Sequence, residues 1–144
     1  MKLHLVGVLC AVMSMSAHAA EGRWTEGYGQ GNLEYFIDAQ GMRLHIGCPT
    51  EDGSADTKSS VSFMRVSDSR DVPSFTITVA GTTFEGPFEA DSRVGTNNFI
   101  ALLDHLRKGN AVVKANNKSF SFPVSNAAKV LPQYGKKGFK CNTD

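Results

Sequence analysis

Alternation of apolar and polar residues is the feature that most constrains the fold of this chain. Between residues 42 and 48 every second residue is apolar, namely Met42, Leu44, Ile46 and Cys48. Successive side chains of a β-strand point to opposite faces of a sheet, so this period of two predicts a strand with one buried face. Residues 33–38 alternate similarly, and Ala39-Gln40-Gly41 between the two segments predicts a hairpin turn.

The remaining pattern predicts short strands and one clear helix. Strands are predicted over 60–66, 74–79, 82–85, 111–114 and 118–122, and a short helix after Ser125. The clear helix is predicted from Asn97 to Lys108, with Thr96 as N-cap and Gly109 as the stop, because apolar residues recur there at helical spacing. Residues 22–32 contain four glycines and predict irregular backbone. The expected fold is mainly β with one amphipathic helix (α+β), either an antiparallel sandwich or a partly open barrel.

The first residues are typical of a secretory signal. Lys2 precedes an apolar stretch from Leu5 to Met13, and the segment that follows ends in the small-x-small pattern of a signal peptidase site at Ala19. Apolar runs in the sequence stay below the roughly 18 residues that a membrane span needs. We therefore expect a signal peptide at 1–19, a single β-rich exported domain at 20–144, and a periplasmic or secreted location.

Cleavage after Ala19 would leave two of the three cysteines, Cys48 and Cys141. Thiols pair in the oxidising compartments to which exported chains are sent, so the sequence predicts one disulfide between them. A pair of metal-binding or catalytic thiols is the alternative, but it suits a reducing cytosol and a C-x-x-C spacing better.

The charge of the exported chain is balanced. Removal of Lys2 from the 15 basic residues leaves as many basic as acidic residues, 14 of each. A neutral domain has no long-range field that draws it to nucleic acid or to anionic lipid, so we expect neither as a partner.

The C-terminal third resembles a known group of proteins. The segment from Phe99 to Gly109 is followed by a valine-rich strand, the segment from Phe120 to Lys129 and a late cysteine, and Trp24 also fits. In these features the chain is similar to small exported bacterial proteins of the invasion-associated locus B type. The resemblance implies a β-rich envelope or secreted protein without a known catalytic site, and it transfers no functional residue.

Catalytic and metal-binding patterns are weak in the sequence. His45 and His105 are the histidines that follow the predicted signal, and neither belongs to an H-x-H or H-x-x-x-H spacing. Asp104 and His105 are neighbours on a helix, so their side chains point about 100° apart and do not face each other. Residues 52–57 have oxygen ligands at alternate positions like a calcium loop, but they lack its glycine and its final glutamate. We expect no catalytic residue, no cofactor and no metal.

Two features favour contact with another protein. Trp24 and Tyr28 lie in the glycine-rich segment and could give a partner rigid contact area, although a lone tryptophan near the start of a small domain more often fills one end of the sheet. Glu51, Asp52 and Asp56 form an acidic loop, and loops of such scaffolds carry recognition. The leading hypothesis is a non-catalytic protein that binds an envelope or extracellular protein, as an inhibitor, immunity factor or accessory component.

Two other functions stay open at this point. One is a small envelope hydrolase that uses His45 or His105 together with a carboxylate. The other is a barrel that binds a small ligand in a mouth lined by Tyr35, Phe63 and Phe75.

Overall fold

Strands dominate the secondary structure of the protein, for which a computed structural model describes residues 20–29, 31–50 and 56–143. These residues form nine strands and two helices. The strands are β1 (Thr25–Gly29), β2 (Asn32–Ala39), β3 (Met42–Pro49), β4 (Ser60–Arg65), β5 (Phe75–Val79), β6 (Thr82–Gly86), β7 (Phe88–Glu89), β8 (Ala111–Ala115) and β9 (Lys118–Phe122). The helices are α1 (Arg93–Leu106) and α2 (Ala127–Val130). The predicted signal peptide at 1–19 lies outside the described residues.

Two antiparallel sheets make up the fold. The first has five strands in the order β1-β2-β3-β4-β7, and the second has four strands in the order β6-β5-β8-β9. Residues Gln40 and Gly41 both have positive φ and join β2 to β3 in the predicted hairpin, and Asn116 and Asn117 do the same between β8 and β9. The predicted fold class, mainly β with antiparallel sheets, is confirmed.

The core is built from the alternate residues that the sequence pattern placed on the buried faces. Ile37, Leu44, Ile46 and Phe63 of the first sheet are fully buried, as are Ile77 and Val113 of the second. The Phe63 ring lies 5.5 Å from that of Phe75 and 6.1 Å from that of Phe122, measured between centroids. Phe63 and Phe75 therefore fill the core, and the prediction that they line a barrel mouth with Tyr35 is wrong.

The apolar side of helix α1 is buried, as the sequence predicted, but the helix starts earlier than expected. Its buried residues include Phe99, Leu102, Leu103 and Leu106. The N-cap is Ser92, whose hydroxyl accepts a hydrogen bond from the N–H of Gly95 at 3.1 Å, and the predicted cap Thr96 lies inside the helix. Thr96 is only 7% exposed and its hydroxyl faces the carbonyl of Ala90 at 3.5 Å. The Thr96 hydroxyl therefore contacts the chain that precedes the helix, and Ser92 caps the first turn instead.

The glycine-rich segment after Trp24 is a strand, which corrects the expectation of irregular backbone. Thr25–Gly29 pairs with Asn32–Phe36 in an antiparallel register that opposes Glu26 to Tyr35 and Tyr28 to Leu33. Glycines at 27 and 29 remove the side chains of one face, so the sequence lacks the alternation that marks the other strands. Pairing with β2 supplies the order that local propensity does not.

Candidate partner-binding cleft

A cleft lies between the first hairpin and the C-terminal segment. Its volume is about 750 Å³, and the residues that line it are Glu26, Tyr28, Leu33, Tyr35, Thr50, Gly138, Phe139 and Lys140. We call it the terminal cleft. It combines apolar and aromatic walls with one acidic and one basic side chain, which is the composition of sites that hold a ligand by shape and orient it by a few polar groups.

One wall of the terminal cleft follows from the register of β1 on β2. Cross-strand partners carry their side chains on the same face of a sheet. Since Tyr28 is opposite Leu33 and Glu26 is opposite Tyr35, all four side chains belong to one face, which is the buried face of β2. Tyr28 is at the edge of the sheet and is 64% exposed, so its ring offers surface to a second molecule.

The other wall is the C-terminal segment, which a covalent bond holds in place. Cys48 of β3 and Cys141 form the predicted disulfide, with an S–S distance of 2.08 Å across 93 residues of sequence. Next to it, the N–H of Asn142 donates to the carbonyl of Pro49 at 3.3 Å, and the carbonyl of Asn142 accepts from the N–H of Ser59 at 3.0 Å. These bonds fix the chain that carries Phe139 and Lys140.

Tyr35 provides the best shielded polar group of the terminal cleft. The residue is 3% exposed. Burial raises the pKa of its hydroxyl to about 12, and the nearby carboxylate of Glu26 acts in the same direction. The hydroxyl is therefore neutral at physiological pH and can both donate and accept a hydrogen bond.

The predicted contact residues lie in different surroundings in the structure. Trp24 is 3% exposed and belongs to the core, so it offers no surface and its expected contact role is corrected. Tyr28 lines the terminal cleft as a contact residue would. Glu51 and Asp52 lie outside the described residues. Asp56 is exposed but is not part of the cleft lining.

Sequence reasoning missed the C-terminal wall. Phe139 and Lys140 directly precede Cys141, and the disulfide places them beside β2 and β3. Had the predicted disulfide been combined with the predicted pairing of β2 and β3, Leu33 and Phe139 would have been expected close together, since Leu33 is the cross-strand partner of Cys48.

His45 lies on the outer face of the first sheet, between two polar neighbours. Its Nδ1 is 3.3 Å from the hydroxyl oxygen of Ser62 on β4, and its Nε2 is 3.7 Å from a carboxylate oxygen of Glu34 on β2. Burial lowers the pKa of the imidazole, although the charge of Glu34 opposes this effect.

A neutral imidazole could accept a proton from Ser62, which is the first requirement of a serine hydrolase. Ser62 is in mid-strand, however, with the main chain of β4 paired to β3 along 60–65. Free N–H groups for an oxyanion are not expected there.

His105 is engaged within the fold. Its Nδ1 lies 2.7 Å from the carbonyl oxygen of Ala101, to which it donates, and its ring meets the ring of Phe84 edge-on at 5.7 Å. The neighbouring Asp104 pairs with Lys108 at 2.7 Å. The helical geometry predicted that Asp104 and His105 do not face each other, and the structure agrees, because each has a different partner.

Within residues 20–29, 31–50 and 56–143, no group of three or more histidine, cysteine, aspartate or glutamate side chains is arranged to hold an ion. Most of the calcium-like loop at 52–57 lies outside those ranges. Among the same residues, no helix has the length and apolar character needed to cross a membrane.

Comparison with known proteins identifies relatives of this chain. It is 33% identical to the uncharacterised protein YfjT of Escherichia coli K12 over 138 residues, which cover 87% of this chain and 89% of that protein. It is 31% identical to the uncharacterised protein YkfB of the same organism over 143 residues, with 91% and 90% covered. No solved structure matches. These matches do not test the resemblance to invasion-associated locus B-type proteins, which stays a prediction. The profile of the YfjT family matches residues 22–131, most of the chain, and the protein therefore belongs to the YfjT family.

Proposed function

We propose that this protein is an exported, non-catalytic binding protein that holds another protein in the terminal cleft. The observation that carries the proposal is the position of Tyr28, a largely exposed aromatic ring at the rim of a cleft with a buried floor. Exposed aromatic side chains beside a pocket are the residues that most often dominate the free energy of protein association. An inhibitor, an immunity factor and an envelope accessory component are the roles that fit such a site.

The polar groups of the terminal cleft support recognition rather than simple hydrophobic contact. Glu26 belongs to the strand wall and Lys140 to the C-terminal wall, so a partner meets a negative and a positive charge on opposite sides. Opposite charges fix the orientation of a partner and slow the binding of wrong ones. The Tyr35 hydroxyl adds a neutral hydrogen-bonding group at the floor.

The rigidity of the C-terminal wall is a further argument. A wall that a disulfide and the main chain of Asn142 hold in place loses little conformational freedom when a partner binds. The same disulfide supports export, since such bonds persist in oxidising compartments. We propose that the protein acts in the periplasm or outside the cell after removal of residues 1–19.

Capture of partners tests this function. Oxidised protein comprising residues 20–144 is used to capture proteins from envelope and culture supernatant, and the variants Tyr28→Ala and Val94→Ala are compared with it. Val94 is 70% exposed on α1 and is not part of the cleft lining, so it controls for the loss of an exposed apolar side chain. We expect a saturable partner whose affinity falls at least about tenfold with Tyr28→Ala only. Absence of a saturable partner, or equal binding by both variants, would overturn the proposal.

A second candidate function rests on the alignment of Glu34, His45 and Ser62 across three strands. If the protein is a hydrolase, activity in a broad ester and amide screen must disappear in both His45→Gln and Ser62→Ala. Activity that survives in both variants, or a screen without activity, removes this candidate.

A further inference from the structure

The orientation of the main chain in β1 follows from a single hydrogen bond. The N–H of Gly22 donates to the carbonyl of Asp38 at 2.7 Å, so the main chain of Asp38 faces the first strand. In an antiparallel sheet, the residues that bond to a given neighbour alternate along the strand. Glu34 of β2 therefore also faces β1 and bonds to its cross-strand partner Gly27.

The main-chain groups of the alternate residues, in and just before β1, point away from β2. Trp24, Glu26 and Tyr28 direct their N–H and C=O groups away from β2, toward the edge of the sheet. Asn126 confirms this direction at Trp24, because its side-chain amide accepts from the Trp24 N–H at 2.8 Å and donates to the Trp24 carbonyl at 3.0 Å. A neighbouring strand would make the same pair of bonds.

Among the described residues, no side chain bonds the main chain of Glu26 and Tyr28 in the way that Asn126 bonds Trp24. Within the part of the chain that the structure describes, no hydrogen bond engages their outward N–H and C=O groups. The other sheet edges differ from β1. Strand β7 has two residues, the N–H of Ser121 on β9 donates to the side chain of Gln40 at 3.4 Å, and β6, although it has five residues, does not line the terminal cleft. Exposed edges of this kind pair readily with another extended chain.

We propose that the partner contributes an extended segment that pairs with the main chain of Glu26 and Tyr28 as an additional strand. This inference rests on the proposed function and names its mode of binding. In an antiparallel arrangement, the partner residues opposite Glu26 and Tyr28 carry their side chains into the terminal cleft. An apolar side chain opposite Tyr28 packs against the Tyr28 ring, its cross-strand neighbour, and a lysine or arginine opposite Glu26 pairs with its carboxylate.

The partner residue between those two lies opposite Gly27, and its side chain points to the outer face of the sheet. A side chain fits there because Gly27 has none, and the nearest atom to a β-carbon built on Gly27 is a ring carbon of Phe36 at 3.9 Å. The segment therefore has an apolar residue and a basic residue two positions apart, with a residue of any kind between them.

Short random peptides displayed on phage are the probe for this mode of binding. Peptides selected on oxidised protein of residues 20–144 are expected to share the apolar and basic pair. Binding of a synthetic selected peptide should slow hydrogen exchange of the Glu26 and Tyr28 amides at least about tenfold, while the Gly27 amide, already bonded to β2, serves as the internal control. Methylation of the peptide nitrogens that face β1 should weaken binding about tenfold, and methylation of the intervening nitrogens should not.

Three results would overturn the proposal. If selected peptides bind and lose affinity with Tyr28→Ala but leave exchange of the Glu26 and Tyr28 amides unchanged, the cleft binds a partner without strand addition, and the proposed function survives. If selection gives no peptide that binds, an extended segment is not the occupant. If the protein alone forms dimers in sedimentation experiments and protects these two amides, the occupant is a second copy of this chain.

Discussion

The side chain of Asn126 binds both main-chain groups of Trp24, although 102 residues separate them in the sequence. The N–H of Trp24 donates to Oδ1 at 2.8 Å, and Nδ2 donates to the Trp24 carbonyl at 3.0 Å. Trp24 is buried, and a main-chain group that is removed from water without a partner costs free energy. Asn126 thus allows the start of β1 to be buried together with the indole ring.

Substitution of Asn126 tests this relationship. We expect Asn126→Ala to lower the free energy of unfolding by about 1 to 3 kcal/mol, because it leaves both Trp24 groups without their partner. Urea denaturation followed by tryptophan fluorescence measures the loss. Asn98→Ala, at an exposed position of α1, is the matched control and should cost nothing measurable. Equal stability of the two variants would contradict the assigned role.

The disulfide between Cys48 and Cys141 closes a loop of 93 residues. On the chain-entropy model, its removal lowers the free energy of unfolding by about 4 to 5 kcal/mol. We expect the double variant Cys48→Ala/Cys141→Ala to show this loss in urea denaturation. A reducing agent should destabilise the wild type by a similar amount and leave the double variant unaffected. A wild type that is insensitive to reduction would show that the bond adds little.

Gly95 gives a prediction whose sign opposes the general rule. Alanine in place of glycine within a helix usually stabilises a protein by about 0.5 to 1 kcal/mol. A β-carbon at Gly95 would clash with the main-chain carbonyl oxygen of Glu89, which cannot move aside as a flexible side chain could. We expect Gly95→Ala to destabilise the protein by about 1 to 3 kcal/mol in thermal or urea unfolding. If Gly95→Ala were more stable than the wild type, the main-chain oxygen of Glu89 would have to lie farther from Gly95 than the structure places it.

His45 makes stability depend on pH. Because burial lowers its pKa in the folded state, the folded protein binds fewer protons at this site than the unfolded chain. The stabilisation is complete above the unfolded pKa of about 6.5, and it is lost as pH falls through the lower folded value. We expect the wild type to lose more stability than His45→Gln when the pH is lowered from about 7.5 to about 5. Equal loss of stability in the wild type and in His45→Gln would contradict the assignment.

Much of the fold could be predicted because its strands have one buried face. Met42, Leu44 and Ile46 alternate with polar residues, and Leu44, Ile46 and Cys48 are buried as this alternation predicted, whereas Met42 is partly buried. The disulfide also followed from the sequence, since two cysteines remained after the predicted cleavage. The glycines of β1 leave no such alternation, so this strand becomes visible only through its pairing with β2.

The candidate site was predicted only in part, for a different reason. Tyr28 was identified as an aromatic residue in a glycine-rich segment, but nothing local distinguishes it from Trp24, and burial depends on distant partners such as Asn126. Phe139 and Lys140 lie in a segment without periodicity, between Pro132 and Cys141. Their position is set by the disulfide, a contact across 93 residues that propensity and pattern do not describe.

The covalent link from β3 to Cys141 also determines how the protein responds to mechanical force. When the chain is pulled from both sides of this link, tension runs along the residues before Cys48 and crosses the disulfide to the residues after Cys141. The second sheet and both helices lie within the bridged interval and carry none of this load. The pull is resisted by the bonds that hold β1, β2 and β3, including those from β3 to β4 and from Asn126 to Trp24. A protein extended in this way lengthens only by the residues before Cys48 and after Cys141.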